Sequence, residues 1–269
     1  MYISKKDPDA VIVTESADRL ARPVEQYLDT LLAAARVAYE KKVLLAMGVK
    51  PRYANPGYGH IKRGKFWGNV NKVKFYKLDK FVEKPPLELA EKYTASSNYF
   101  WNAGQFVWRA DLILSSLQKH ESDIYRKLKN IEPFLGTKEE RQVLKHEYRQ
   151  MPKISIDYAV AEKDKNFLMV EADFFWTDIG DWKEVWENLP KDKENNVIIS
   201  GQEPGGEVIN IDTSGAFIHT DGRLVAVVDV DDIIVVDTKE ALLVCSKSRA
   251  QSVKKIVERL KEEGRRSLL

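Results

Sequence analysis

The chain has 269 residues, of which 43% are hydrophobic and 31% charged, the composition of an ordinary globular protein. A net charge of +2, with basic residues dispersed among acidic ones, argues against nucleic acid or an acidic membrane surface as a partner. The single cysteine, Cys245, excludes an intramolecular disulfide and a multi-cysteine metal site. No apolar run reaches the length of a membrane span and no signal peptide is recognised, so we expect a cytoplasmic protein.

The first part of the chain alternates strand and helix patterns. Asp9–Thr14 is a continuous β-branched run that predicts a buried strand, and Val43–Val49 predicts another. Between them, Pro23–Lys41 has apolar residues at helical spacing. Asp18 follows the first strand, where α/β folds place ligand chemistry, although capping of the next helix is an alternative role. This alternation indicates an α/β fold.

The stretch Phe81–Trp108 contains more of the candidate ligand-binding residues than any other stretch of the chain. Glu83 and Lys84 end a strand that two prolines then terminate, and Asn102 and Gly104 lie among large aromatic residues. Carboxylates and amides suit the hydroxyls of a sugar, and a lysine suits a phosphate. The alternative for Glu83 and Lys84 is a surface ion pair, which contributes little free energy.

Three further stretches place polar residues or glycines at the ends of predicted elements. PGYGHI, at Pro56–Ile61, has glycines that let the backbone approach a ligand closely. SIDYAVAEK, at Ser155–Lys163, begins a predicted helix in which Asp157 is a candidate N-terminal residue. WTDIGDW, at Trp176–Trp182, places Asp178 just before a glycine turn.

The composition changes near residue 191. The turn-rich KDKENN and GQEPGG segments are followed by short strand-like runs between residues 208 and 245, whose regular spacing predicts a small β-solenoid. Gln251–Leu268 then reads as an amphipathic helix. We interpret the acidic run Asp229–Asp232 as a solvated turn and not as a metal site. We therefore expect two domains, residues 1–190 and 191–269.

Together these motifs resemble those of the nucleotide-sugar pyrophosphorylases. VEKP, followed by WNAG-x-F-x-W and the three stretches above, matches in order and spacing the guanylyltransferases that act on mannose 1-phosphate, from about Asp7 onward. The resemblance implies an α/β, partial Rossmann-like (GT-A-like) nucleotidyltransferase sheet with a small, left-handed β-helix-like C-terminal domain. It further implies that mannose 1-phosphate and GTP react to give GDP-mannose and pyrophosphate, and that the chain forms a homodimer.

The resemblance also implies roles for individual residues. The implied substrate-binding residues are Gly59, Glu83, Lys84, Asn102, Gly104 and Asp157. Among them, Glu83 is expected to bind the sugar hydroxyls and Lys84 the 1-phosphate, while structural support is an equal alternative for Asp157. Lys84 and Asp178 are the implied catalytic residues.

A Mg²⁺ ion is the implied cofactor, with Asp18 and Asp178 as its ligands. The segment around Asp18 departs from the family pattern, which is Pro-Ala-Asp-His, because Ser16 and Arg19 replace the proline and the histidine. A guanidinium beside a metal ligand opposes cation binding by like-charge repulsion. The two carboxylates of Asp18 and Asp178 therefore favour a metal site, and the positive charge of Arg19 opposes it.

The sequence lacks one family motif, the glycine-rich GGxGTRLxPL loop whose N–H groups cradle the nucleotide phosphates. The resemblance places Met1 just before the family's fourth strand, and we expect the strand at Asp9–Thr14 to present an apolar edge and to lower solubility. Three hypotheses stay open. The chain is an N-terminally truncated guanylyltransferase, a homologue that binds sugar phosphate or a partner subunit without turnover, or a pyrophosphorylase for another nucleotide or sugar.

Overall fold

The computed structural model describes residues 1–201 and 206–268, and the chain divides into two compact units, Met1–Thr177 and Asp178–Leu269. The division falls before the expected domain boundary at residue 190. Most of the predicted GQEPGG turn, residues 202–205, lies outside the described residues. No helix in the described part of the chain is long and apolar enough to cross a membrane.

A mixed six-stranded sheet forms the centre of the first unit. In chain order the strands of this part of the chain are β1 (Val11–Val13), β2 (Arg19–Arg22), β3 (Leu44–Val49), β4 (His60–Val70), β5 (Val73–Val82), β6 (Tyr99–Arg109), β7 (Phe167–Ala172) and β8 (Phe175–Asp178). The sheet order is β1-β6-β3-β7-β5-β4, and β2 pairs with β8. Strands β3 and β7 run parallel, whereas β6 pairs antiparallel with both β1 and β3.

Helices cover the sheet. They are α1 (Tyr2–Lys6), α2 (Val24–Lys41), α3 (Leu87–Ala95), α4 (Ala110–His120), α5 (Ser122–Ile131) and α6 (Glu140–Arg149), with a 3₁₀ turn at Glu132–Phe134 and a π-helix at Asp157–Ala161. Alternate residues of β3 join different core clusters: Leu45 packs with the buried side of α2, whereas Leu44 packs with residues of α4 and the π-helix. Burial on both faces explains why β3 is continuously apolar in sequence and why β7 is apolar apart from the partly exposed Glu171.

Three local predictions need correction. The Asp9–Thr14 strand is shorter, as β1, and it is only partly buried because it lies at a sheet edge with one neighbour. Asp18 does not cap α2, because β2 intervenes and the N-cap residue of α2 is Pro23, which makes no side-chain cap. Asp157 begins a π-helix of five residues, again without a side-chain cap.

Apolar side chains are exposed near this sheet edge, one on β1 and three on α2. Val13 of β1 is 38% exposed. On α2, which packs against β1, Val24, Leu28 and Leu32 follow each other at four-residue spacing and are 49–68% exposed. Low solubility of the chain stays a prediction.

The second unit is built from short stacked strands. They are β9 (Val197–Ser200), β10 (Val208–Ile211), β11 (Phe217–Thr220), β12 (Val225–Val228), β13 (Ile233–Asp237) and β14 (Leu242–Ser246), with helices α7 (Trp182–Asn188) and α8 (Val253–Glu262). Strand β11 pairs in parallel with β9 and β13, and β10 pairs in parallel with β12. Parallel stacking of strands that alternate along the chain is the arrangement of a β-helix, which confirms the predicted solenoid.

The acidic turn of the second unit is held by local contacts. The Asp231 carboxylate accepts hydrogen bonds from the N–H and the hydroxyl of Ser214, at 2.7 and 2.8 Å, and Asp232 forms an ion pair with Lys247 at 2.6 Å. Within the described ranges no group of three or more His, Cys, Asp or Glu side chains is arranged to hold a metal ion. These contacts agree with the interpretation of Asp229–Asp232 as a turn.

Candidate functional site

Glu83 and Lys84 lie at the end of β5, where the backbone turns sharply. Lys84 has a φ of 43°, in the left-handed region that is uncommon for residues other than glycine. Its ammonium lies 3.5 Å from a carboxylate oxygen of Glu83. The Glu83 side chain is only 10% exposed, whereas that of Lys84 is 64% exposed. The carboxylate is therefore an interior wall of the site, and the ammonium stands at its solvent side.

Gly59 brings the loop before β4 directly against this carboxylate. The Asn102 N–H donates a 2.7 Å hydrogen bond to the carbonyl oxygen of Gly59, which ties the loop to β6. A Cβ atom at Gly59 would lie 2.5 Å from Oε2 of Glu83 and 3.2 Å from Cβ of Asn102. Any side chain here would displace the carboxylate, so only glycine allows this close approach.

Aromatic packing and a buried histidine hold the same loop. The ring of Tyr58 contacts those of Trp101 and Trp176 edge-on, with centroids 5.2 and 5.5 Å apart, and both tryptophans are buried. His60 is fully buried, with Nδ1 3.0 Å from the carbonyl oxygen of Tyr58, and burial lowers its pKa. His60 therefore serves packing, and the backbone of Gly59 is held from both sides.

A bulge in β6 turns Asn102 toward the site. The pairing register with β3 shifts between Ala46 and Gly48, and Gly104 has a φ of 70°. The Gly104 N–H donates to Oδ1 of Asn102 at 3.2 Å, and Nδ2 of Asn102 donates to the Asp157 carboxylate at 3.1 Å. These two bonds define which end of the buried amide is donor and which is acceptor.

Glu162 also contacts the residues around Glu83. Its carboxylate accepts a 3.1 Å hydrogen bond from the backbone N–H of Glu83, at the residue just before the left-handed turn. Burial raises the pKa of the Glu83 carboxyl, the charges of Asp157 and Glu162 act in the same direction, and Lys84 opposes them. The site is thus rich in carboxylates and is suited to hydroxyl donors.

A second polar network supports the β6 bulge from the other side. The Glu15 carboxylate accepts hydrogen bonds from the Tyr27 hydroxyl and from Nε2 of Gln105, and Gln105 also donates to the Tyr27 oxygen at 2.9 Å. Gln105 is buried, and burial together with Glu15 raises the pKa of Tyr27 to about 12. The network connects α2 to the residue that follows Gly104.

Arg19 lies beside the predicted metal ligand Asp18. Its Nε is 3.9 Å from the Asp18 carboxylate, and its guanidinium carbon is 5.2 Å from the centre of the Trp176 ring. A Cβ atom at Gly104 would lie 3.7 Å from Nη2 of Arg19, so the guanidinium extends to the β6 bulge. Asp178 ends β8 and belongs to the second unit. The pairing of Asp18 with Asp178 around a metal stays a prediction.

The structure thus brings the residues predicted to bind substrate into one connected cluster. This cluster, the Glu83–Asn102 cluster, comprises Gly59, Glu83, Lys84, Asn102, Gly104 and Asp157. Sequence reasoning missed Glu162, although it lies inside the SIDYAVAEK motif, because its contact is to a backbone N–H 79 residues earlier in the chain. It also missed Glu15 and Gln105, for which no local pattern exists.

An α/β sheet with polar residues collected at strand ends, followed by a β-helix, defines a two-part ligand-binding protein. A family described as nucleotidyl transferase matches residues 2–195, and one described as the MannoseP isomerase/GMP-like beta-helix domain matches residues 206–260. The chain belongs to the nucleotidyl transferase family. The predicted fold class, a nucleotidyltransferase sheet followed by a β-helix, is confirmed.

Individual relatives agree with this assignment. The chain is 36% identical over 264 residues to a putative mannose-1-phosphate guanylyltransferase of Vibrio cholerae, covering 97% of this chain and 54% of that protein. It is 34% identical over 244 residues to the mannose-1-phosphate guanylyltransferase of Escherichia coli K12, covering 88% of this chain and 49% of that protein. The chain therefore spans about half the length of these curated relatives.

A solved structure shows the same architecture. The crystal structure described as a mannose-1-phosphate geranyltransferase from Thermus thermophilus superposes with a TM-score of 0.80 at 27% identity. The superposition covers 96% of this chain and 72% of that one. The match extends over both the sheet and the β-helix, so the two-part architecture is shared.

Proposed function

We propose that the chain is the sugar-phosphate-binding part of a mannose-1-phosphate guanylyltransferase of GDP-mannose biosynthesis. The observation that carries the proposal is the convergence of three groups on a nucleotidyl transferase sheet: the Glu83 carboxylate just after β5, Asn102 at the bulge in β6 and the Gly59 backbone just before β4. The relatives from Vibrio cholerae and Escherichia coli, which are named mannose-1-phosphate guanylyltransferases, support the choice of substrate. Both relatives are longer proteins, and this chain matches about half of each.

In the proposed reaction, a phosphate oxygen of mannose 1-phosphate attacks the α-phosphorus of GTP. The new P–O bond forms as the bond to the β-phosphate breaks, and pyrophosphate leaves. The Glu83 carboxylate and the Asn102 amide would bind and orient the sugar hydroxyls, and the exposed ammonium of Lys84 would bind the 1-phosphate. Catalysis of this kind relies on positioning and on charge stabilisation.

The proposal includes a divalent cation. The donor chemistry fits Mg²⁺, which takes one or two protein carboxylates together with phosphate oxygens, and Asp18, at 59% exposure, is open to such a ligand. Asp18 and Asp178 would hold the ion, which would neutralise charge on the phosphates. We further propose a homodimer, binding of GTP and a cytoplasmic location.

A second candidate function is binding of a sugar phosphate without turnover, alone or beside a complete subunit. The observation in its favour is the Arg19 guanidinium, whose Nε lies 3.9 Å from the Asp18 carboxylate and whose positive charge opposes the binding of a metal cation there. The two candidates share the Glu83–Asn102 cluster and differ in turnover. Among the described residues, none favours a pyrophosphorylase for another nucleotide or sugar over these two candidates.

The experiment measures pyrophosphate release by the purified, folded chain with Mg²⁺, GTP and mannose 1-phosphate, beside calorimetric binding of mannose 1-phosphate alone. We expect saturable binding, and release that stops when mannose 1-phosphate is omitted. Binding without release would favour the second candidate. Absence of both, from protein with a cooperative unfolding transition, would refute the site itself.

Asp178→Asn tests the cation ligand separately. We expect the variant to lose the Mg²⁺ dependence of nucleotide-sugar binding, because an amide lacks the charge that a Mg²⁺ ligand supplies. Asp181→Asn, which alters the N-cap of α7 three residues away, is the matched control and should keep the dependence. An unchanged Mg²⁺ dependence in Asp178→Asn would rule out the metal assignment.

A further inference from the structure

A second cleft opens where the parallel strands β3 and β7 end. It has a volume of about 600 Å³ and lies entirely within the first unit, between the residues that follow β3, the start of α2 and the segment that leads into β8. Its floor is apolar and includes Val49 and Phe174, both buried. The carboxyl ends of parallel strands are where α/β folds commonly bind ligands. None of the predicted substrate residues lines this cleft.

Two guanidinium groups converge on one ring at its rim. The guanidinium carbons of Arg22 and Arg52 lie 4.7 and 4.3 Å from the centre of the Phe175 ring, so they are at most about 9 Å apart. Nη2 of Arg52 also donates a 2.9 Å hydrogen bond to the carbonyl oxygen of Trp176. Contact with the ring holds both cations at this rim, and the hydrogen bond further restrains Arg52. Two guanidinium groups side by side suit a ligand with several oxygen acceptors.

The other lining groups add to the positive field. Lys50 is a third cation of the cleft, and Asp173 is the one carboxylate among the residues that line it. Helix α2, of 18 residues, begins here with Pro23 as its N-cap, and the Pro23 side chain has no group that could accept a hydrogen bond from the first N–H groups. Uncapped amides at a helix N-terminus carry partial positive charge and reinforce an anion site formed by side chains.

We propose that this cleft, the Arg22–Arg52 cleft, binds the phosphate group of a small molecule. Arginine forks match the geometry of phosphate oxygens and donate two parallel hydrogen bonds, which makes them suited to a dianion. Three cations against one carboxylate leave a net positive charge that a phosphate dianion would offset. This cleft is separate from the Glu83–Asn102 cluster, and the proposal does not depend on the proposed function.

Calorimetric titration with inorganic pyrophosphate, at fixed ionic strength, tests the cleft. We expect saturable binding that weakens about tenfold in Arg22→Gln and in Arg52→Gln, the loss typical of one hydrogen bond to a charged group. Arg36→Gln, which removes an exposed arginine from the same helix α2, is the matched control and should change the affinity less than twofold. Lys84→Gln, in the other site, should also leave it within twofold.

Two further measurements distinguish a loss of binding from a loss of folding, and a free phosphate from an organic phosphate. If Arg52→Gln disturbs β8, as a lowered unfolding midpoint would show, Arg22→Gln alone decides the result. Titration with inorganic phosphate and with ribose 5-phosphate distinguishes a free anion from an organic phosphate, and tighter binding of either supports the cleft. No saturable binding, an equal loss in Arg36→Gln, or a loss confined to Lys84→Gln would overturn the proposal.

Discussion

Two strand-end regions of the first unit differ sharply in charge. The Glu83–Asn102 cluster gathers the carboxylates of Glu83, Asp157 and Glu162 near one lysine, whereas the Arg22–Arg52 cleft gathers three cations near one carboxylate. Like charges held together cost free energy unless a ligand or a hydrogen bond compensates them. The comparison shows that a net charge of +2 hides two local fields of opposite sign, each suited to a different ligand group.

The two regions also differ in how the charges are held. The Glu83 carboxylate is largely buried, abuts the Gly59 backbone and has a raised pKa. The guanidinium of Arg52 is exposed and rests on the ring of Phe175. A buried group has few alternative positions, whereas an exposed one can readjust. We therefore expect substitutions in the carboxylate cluster to have larger effects than those in the cleft.

The largest effect is expected from Gly59→Ala. The added Cβ would lie 2.5 Å from Oε2 of Glu83, so the carboxylate must move by about an ångström, which weakens mannose 1-phosphate binding about 100-fold. Pyrophosphate binding in the Arg22–Arg52 cleft should not change. Gly68→Ala, in the strand β4 that follows the Gly59 loop, is the control because its Cβ would meet nothing within 4 Å. Calorimetry that finds Gly59→Ala and Gly68→Ala equal would remove the distinction between the two regions.

An intermediate effect is expected from Glu162. Glu162→Ala deletes the acceptor of the Glu83 N–H, and we expect about tenfold weaker mannose 1-phosphate binding because the turn at Lys84 loses its anchor. Glu162→Gln keeps an oxygen acceptor and should restore most of the affinity. Calorimetric titration of both variants with mannose 1-phosphate measures the two affinities. Equal losses would mean that the charge of Glu162, and not its hydrogen bond, matters.

The smallest effect concerns stability and pH. The pKa of Glu83 is raised in the folded state, mainly by burial, so the folded state holds the proton more tightly than the unfolded state does. The contribution of Glu83 to the free energy of unfolding therefore falls as pH rises above the ordinary pKa of 4.5 through the folded pKa. Glu83→Gln should thus unfold at higher denaturant concentration than the unmodified chain at pH 7, with the gain vanishing below about pH 4.5. The burial argument would be contradicted if the stability gain of Glu83→Gln over the unmodified chain were smaller at pH 7 than at pH 4.

Much of the fold follows from local patterns. The buried strand at Val43–Val49 and the helix at Pro23–Lys41 appear as β3 and α2, and the runs between residues 208 and 245 appear as the strands of the β-helix. Asp181 caps α7, as its position before a helical pattern suggests. Each of these depends on hydrophobic periodicity or on a cap, which are properties of neighbouring residues.

Elements set by distant contacts were not predictable in the same way. Strand β9 went unrecognised because its four residues lie between two turn-rich segments, and their pairing with β11 is a contact with a later part of the chain. The edge position of β1 depends on which strands lie beside it. The bulge at Gly104 arises from the register of β6 against β3.

The sequence by itself determined the class of the sheet, the β-helix and the motifs that meet at the candidate site, because apolar periodicity and short motifs are local. Only the tertiary structure decided that Glu162 anchors the Glu83 turn and that Arg22 and Arg52 share one ring. Those partners are 79 and 30 residues apart in the chain. Their contacts depend on strand order and loop closure, which burial of the whole core selects and no short segment encodes.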